Sequence, residues 1–252
     1  MFPKKCKKLE KYDEIVYELN NIQGFYDVWN KIIVSIDNTA DNFLEDLIIH
    51  SFNVTSKSLI FSEDLKICEN DKHLLICSGL LHDNGKFLIS KSVLCKTDKL
   101  NSNEIEIIKK HPTLGADKIR STSKKNNIFW HEVANIVEQH HEDYNPFGYP
   151  DDSDRFKGYP KKVFGKQVHF IAKIISISDW YVSCREDRIY RAGMDRIVAL
   201  KETLKVSGSR LDPSFFYKFV NLKRFDNIEG IEDIKLDAFK KNQVINNDTK
   251  EI

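Results

Sequence analysis

Residues 73–86 read HLLICSGLLHDNGK. From His73 to Leu81 the run is apolar on nearly every side, the pattern of a helix buried within a bundle rather than lying on a surface. It ends on His82-Asp83, an imidazole beside a carboxylate, followed by Asn84-Gly85-Lys86. Inside a helix two neighbours point about 100° apart, so His82 and Asp83 can serve one centre only where the helix is stopping. So placed, Asp83 has an oxygen for each of two metal ions.

The flanking sequence has the same character. Apolar residues recur at three- and four-residue steps in Phe43, Leu44, Leu47, Ile48, in Ile105, Ile107, Ile108, and in Val133, Ile136, Val137. Ten glycines and six prolines are too few to punctuate a many-stranded sheet. The expected class is all-α, a helical bundle. Asn101-Ser-Asn-Glu104 reads as a capping box ahead of a helix that starts near Glu104 and carries His111, and Asp212-Pro213 as the start of a late helix. One long loop is expected over 142–166, rich in Gly and Pro; it starts beside the doublet His140-His141, which favours a functional role.

A chain of 252 residues, 41% apolar and 31% charged, suits one globular domain, and two cores are not expected. The net charge of +1 supplies no field for nucleic acid or an anionic membrane. No run approaches the roughly 18 apolar residues of a membrane span, and the basic N-terminus MFPKKCKKLEKYDEI lacks the apolar stretch of a signal peptide. Cys6, Cys68, Cys77, Cys95 and Cys184 are scattered, odd in number and form no CxxC pair, which points to free thiols and a cytoplasmic setting.

Imidazole and carboxylate hold first-row divalent metals, and His50, His82, Asp83, His111, His140, His141 and Asp179 form a ladder of such groups along the chain. Any one rung alone would be ordinary: an isolated HD is a chance dipeptide, an HH pair is usually solvated, and His111 before Pro112 would be a surface or cap histidine. Together they suggest a polynuclear site. Asp46 precedes His50 by one helical turn, about 40° around the axis, and shares its face, whereas Glu45 points away. Asp179 is the first acidic residue after Ile174-Ile-Ser-Ile-Ser178, where burying a carboxylate needs a cation. His73, His131 and His169 lack such partners and read as structural or surface residues.

In this order, His50, His82-Asp83 and Asp179 resemble the H…HD…D pattern of the HD phosphohydrolase superfamily. The strings LLHDNGK (80–86), HPTLGAD (111–117), HHEDYNPFGYP (140–150) and ISDWYVSCREDRIYR (177–191) resemble its HD-GYP branch of cyclic di-GMP phosphodiesterases, over about residues 43–222. The resemblance implies two or three divalent ions, iron or manganese. It implies His50, His82, Asp83, His111, His140, His141 and Asp179 as ligands, and Asp46 as a ligand to a third ion. Lys86 would stand near the scissile phosphate, Arg188 and Arg191 would contact substrate phosphate or guanine, and Tyr149 belongs to the GYP loop. The implied activity is hydrolysis of cyclic di-GMP to pGpG and onward to GMP, with Asp83 and Lys86 at the reacting centre. A receptor that binds the nucleotide without hydrolysis, and an HD enzyme acting on another nucleotide, are the alternatives.

Some positions depart from the family pattern. Asn84 replaces an apolar residue, Asn145-Pro146 replaces Asp-Gly, and Val182 replaces an aspartate whose loss would remove a hydrogen bond behind the last ligand. The expected organisation is a helical extension over 1–42 that pads the bundle or makes a homodimer contact, a catalytic domain over 43–234, and a polar, frayed tail over 235–252.

Overall fold

The computed structural model describes residues 12–33, 42–123, 127–145, 165–187 and 191–248. Among these residues the chain is helical, with no strand beyond one isolated bridge between Ser207 and Leu211. It divides into two compact units, Met1–His140 and His141–Ile252. Each half has its own set of fully buried large side chains, Phe52, Phe61, Leu75 and Trp130 in the first and Phe216 and Phe219 in the second.

The first unit holds α1 (Asp13–Leu19), α2 (Phe25–Ile33), α3 (Asn42–Leu65), α4 (Glu69–Leu81), α5 (Lys91–Leu94), α6 (Ser102–Ile108), α7 (His111–Thr122) and α8 (Ile128–Gln139). In α4 every residue from Leu74 to Leu81 is buried, as its all-round apolar sequence requires. Helices α3 and α8 pack on it, and α7 packs on α8. Arg120 of α7 ties the last pair, donating to Glu138 Oε2 at 2.6 Å and Asn135 Oδ1 at 3.0 Å. The N-terminal helices pad this unit: α1 packs on α4 and α2 on α7, with Phe25 stacked on Trp29 and Trp130.

The capping box before α6 is present, with Glu104 N–H donating to Asn101 Oδ1 at 2.9 Å and Asn101 N–H donating to Glu104 Oε2 at 2.8 Å. The helix does not run on to His111, however. It stops at Ile108, and His111 opens the separate helix α7 with Pro112 in its first turn. Pro112 has no N–H to continue the ladder and suits only a helix start.

The second unit holds α9 (Phe170–Arg185), α10 (Arg196–Val206), α11 (Pro213–Val220) and α12 (Ile231–Asp248). Asp212 caps α11 as expected, accepting from Ser214 N–H at 2.9 Å and Phe215 N–H at 3.4 Å. The frayed tail from 235 is corrected: α12 is helical to Asp248 and packs on α10 and α11. A narrow stripe of Ile231, Ile234 and Ala238 is buried, and Lys241 donates to the carbonyls of Leu204 and Ser207 at 2.8 Å and 3.0 Å. So thin a stripe leaves the rest of the helix polar, which hides its period in the sequence.

Candidate metal centre

Three helix ends and the interior of α3 build one cluster in the first unit. His82 is the C-cap of α4, Asp83 follows it, His111 opens α7 and His140 is the C-cap of α8, while His50 lies within α3. All five side chains are buried. Asp83 stands between the rings: Oδ1 is 3.2 Å from His111 Nε2, and Oδ2 is 3.4 Å from His82 Nε2 and 3.9 Å from His50 Nε2. His111 Nε2 and His140 Nε2 are 3.4 Å apart.

Three of the imidazoles are oriented by the same device. His82 Nδ1 is 2.7 Å from Gly79 O, His111 Nδ1 is 2.8 Å from Ile108 O, and His140 Nδ1 is 2.6 Å from Val137 O, each carbonyl lying three residues back. A carbonyl only accepts, so each Nδ1 carries the proton, and in the neutral ring Nε2 is left with a lone pair. Burial, reinforced for His140 by the neighbouring His82 and His111, drives the rings toward the neutral form: His111 lies below its ordinary value and His140 is pushed down to about 3. Two such lone pairs facing each other at 3.4 Å, beside a buried carboxylate, repel unless a cation lies between them. Separations of 3.2–3.4 Å suit neighbouring ligands of one ion bonded at about 2.0–2.2 Å, so the donor set fits a divalent metal.

Asp83 is fixed as the anion of this cluster. Burial would raise its carboxyl, but the Lys86 ammonium, 2.6 Å from Oδ2, outweighs that and holds it well below the usual carboxylate range. The 3-10 turn Asn84–Leu88 that follows lies against α7 through two glycines. A Cβ on Gly85 would come within 1.9 Å of His111 O, and one on Gly115 within 2.0 Å of Asn84 Oδ1. Asn84 is buried and donates to Gly115 O at 3.3 Å, so the residue that departs from the family pattern is part of this contact.

Asp46 is exposed on α3, one turn before His50, and is not among the atoms that gather around Asp83. His141, the first residue of the second unit, follows His140 directly and offers a ligand atom within 4.8 Å of those of His111 and His140. In the second unit Asp179 is half-buried in mid-α9 and accepts from Ser183 Oγ at 3.2 Å. Val182, which stands where the family pattern has an aspartate, is buried at 5% exposure. Arg191 donates to Ser183 O at 2.9 Å and Cys184 O at 3.0 Å, closing the end of α9. Tyr149 and Arg188 lie outside the described residues, as does most of the loop expected over 142–166. His169 caps α9, its Nδ1 accepting from Ile171 N–H at 3.1 Å, and His131 is exposed, in keeping with their reading as structural or surface residues.

A family model for the HD domain matches residues 36–215. The chain belongs to the HD domain family. Among characterised proteins this HD domain is similar to the Cyclic di-GMP phosphodiesterase response regulator RpfG of Xanthomonas campestris pv. campestris, 29% identical over 154 residues, covering 61% of this chain and 37% of that protein. It is similar to a Cyclic di-GMP phosphodiesterase of Thermotoga maritima, 26% identical over 144 residues, covering 57% of this chain and 36% of that protein. It is also similar to the 3'3'-cGAMP-specific phosphodiesterase 3 of Vibrio cholerae, 26% identical over 155 residues, covering 61% and 30%. The chain thus spans well under half the length of these relatives. Bd1817, a HDG"Y"P protein from Bdellovibrio bacteriovorus, shares the HD fold with a TM-score of 0.54 at 20% identity, over 82% of this chain and 60% of that one.

Three features of this HD domain escape a reading of single residues. The shared tautomer lock needs each histidine's place at a helix end, although the i−3 spacing is visible once the ends are known. The glycine contact pairs Gly85 with Gly115 across 30 positions, and neither glycine signals it alone. The triplet GYP occurs a second time, at 158–160, outside the described residues.

Proposed function

We propose that this HD domain is a metal-dependent phosphodiesterase that hydrolyses cyclic di-GMP to linear pGpG and onward to GMP. The observation that carries the reading is the buried Asp83 carboxylate facing imidazole Nε2 atoms on both its oxygens, with three of the four rings held by the carbonyl three residues back. His50, His82, Asp83, His111 and His140 would hold divalent ions, and His141 and Asp179 are ligands by the sequence pattern. Iron or manganese is the reading the resemblance favours, with Asp46 as ligand to a third ion. When bound, such ions supply Lewis-acid chemistry, acidifying a water and offsetting negative charge on the phosphodiester.

The protein's own groups do the rest. Asp83 has an oxygen toward each side of the cluster, and its charge stays fixed because Lys86 sits on Oδ2. The Lys86 side chain is one-quarter exposed, which leaves it within reach of an anionic substrate, where its ammonium would stabilise charge building on the phosphoryl oxygens. Arg188, Arg191 and Tyr149 would contact the nucleotide. A cytoplasmic location agrees with the four described cysteines, which are all free thiols. No helix among the described residues is long and apolar enough to cross a membrane.

The similarity to a 3'3'-cGAMP-specific enzyme supports a second reading of the substrate. Anaerobically purified, metal-replete protein incubated separately with cyclic di-GMP and 3'3'-cGAMP tests both. Linear pGpG from the first is expected, faster turnover of the second would reassign the substrate, and tight binding with no product from either would make the protein a receptor. Neither binding nor hydrolysis of either nucleotide would contradict the proposal.

A further inference from the structure

The second unit carries two of the proposed ligands, His141 at its first residue and Asp179 in α9. Nothing in the sequence pattern explains how the two are held relative to each other. Their segments meet at the bend 207–211 between α10 and α11. Two residues beyond His141, Asp143 is 7% exposed, and its Oδ1 accepts from Arg210 Nε at 3.2 Å. The main chain follows the side chain: Tyr144 N–H donates to Arg210 O at 3.0 Å and Asn145 N–H donates to Ser209 O at 2.8 Å. The segment leaving His141 is therefore fastened to the bend at three consecutive residues.

The same bend grips α9. The guanidinium of Arg210 lies 5.4 Å from the ring centroid of Trp180, the residue next to Asp179. Two turns earlier on α9, Lys173 pairs with Asp212 at 3.0 Å. Residues 173 and 180 are seven apart and share one helix face, so Arg210 in the bend and Asp212 at the start of α11 together fix both the register and the rotation of α9. The bend is itself rigid: Arg210 N–H donates to Val206 O at 3.0 Å, Gly208 N–H to Leu211 O at 2.9 Å and Ser209 Oγ to Val206 O at 3.0 Å. The Arg210 side chain meets both segments.

We infer that Arg210 is a positioning residue for the metal centre, holding the segment of His141 through Asp143 and that of Asp179 through Trp180. The inference rests on the reading of His141 and Asp179 as ligands. A planar guanidinium suits both duties, since its edge donates to a carboxylate while its face lies on an indole. The ion pair is almost entirely buried, at 8% exposure on each side chain, so it is fixed in geometry rather than exchanging with water.

The test is metal affinity, measured by chelator competition well below each variant's melting temperature, for Arg210→Ala, Arg210→Lys, Asp143→Asn, His141→Ala and Asp179→Ala. Arg210→Ala is expected to weaken metal binding about 10- to 100-fold, the range for groups that orient a ligand. Asp143→Asn, which keeps the shape and removes the charge, should share part of that loss, and Arg210→Lys should recover part of it. A lowered melting temperature with unchanged metal affinity in Arg210→Ala would show a merely structural role and overturn the inference. Should Arg210→Ala fail to fold, unchanged affinity in both Asp143→Asn and Arg210→Lys overturns it equally. Unchanged affinity in His141→Ala and Asp179→Ala would instead remove the reading on which it rests.

Discussion

The two units hold their candidate ligands by different means. In the first, orientation comes from the backbone: carbonyls three residues back fix His82, His111 and His140, and the approach of Gly85 to Gly115 sets Asp83 beside α7. In the second, it comes from side chains: Ser183 Oγ on Asp179, and Arg210 against Asp143 and Trp180. A backbone-fixed group tolerates changes in most neighbouring side chains and fails when a Cβ intrudes. A side-chain-fixed group is tuned by single substitutions that leave the fold intact.

The largest contrast should come from Gly85→Ala. The new Cβ would fall 1.9 Å from His111 O and 2.7 Å from Gly115 N, both backbone atoms, so the turn carrying Asp83 must move away from α7. Overpacking of this kind costs about 1–3 kcal/mol, visible as a lower midpoint in denaturant. Metal content should fall with it, and a fully metallated variant of wild-type stability would count against the backbone-fixed picture.

Acid should separate the units next. His111 and His140 have folded values below the ordinary 6.5, with His140 at about 3, so between those limits the unfolded chain binds protons that the folded chain does not. Their contribution to stability is present above pH 6.5 and shrinks as the pH falls, by about 1.4 kcal/mol per pH unit for each proton. Asp83 behaves as a depressed carboxylate, and its share is lost only as the pH drops below its ordinary 3.8. Metal-free protein should therefore lose stability steadily from pH 6.5 to 4, and His140→Phe should flatten that slope; equal slopes in the two proteins would contradict the assignment.

The smallest effect is expected from Ser183→Ala. Loss of the hydroxyl that donates to Asp179 at 3.2 Å should weaken metal binding by roughly 10-fold, at the lower end for an orienting group, with the melting temperature unchanged. Metal affinity identical to wild type would show that Asp179 needs no such support.

The parts legible in the sequence are those fixed by periodicity and its interruptions. The apolar run through Leu81 announces α4 and places His82-Asp83 at its end, Val133 to Val137 do the same for α8 and His140, and Asn101 and Asp212 mark helix starts. What stayed hidden depends on contacts between distant segments or on weak patterns. Pro112 signals a helix start, but the apolar steps through Ile108 mask the break before it. Helix α12 is concealed by its thin apolar stripe, and the division into two units by a composition that would serve one core equally well. Arg210 carries no motif at all, and its partners lie 67 residues away at Asp143 and across a helix at Trp180. The resemblance supplied the ordered ligand set, and the structure supplied the tautomers, the charge state of Asp83 and the glycine contact behind it.

Metal content of anaerobically purified protein, wild type beside Asp83→Ala, with cyclic di-GMP hydrolysis read on the same samples, bears hardest on the proposal. Wild type should carry at least two divalent ions per chain and release pGpG. Asp83→Ala, deprived of the carboxylate that faces His50, His82 and His111, should lose bound metal and all turnover. A fully metallated, active Asp83→Ala protein would contradict the metal-centre assignment outright.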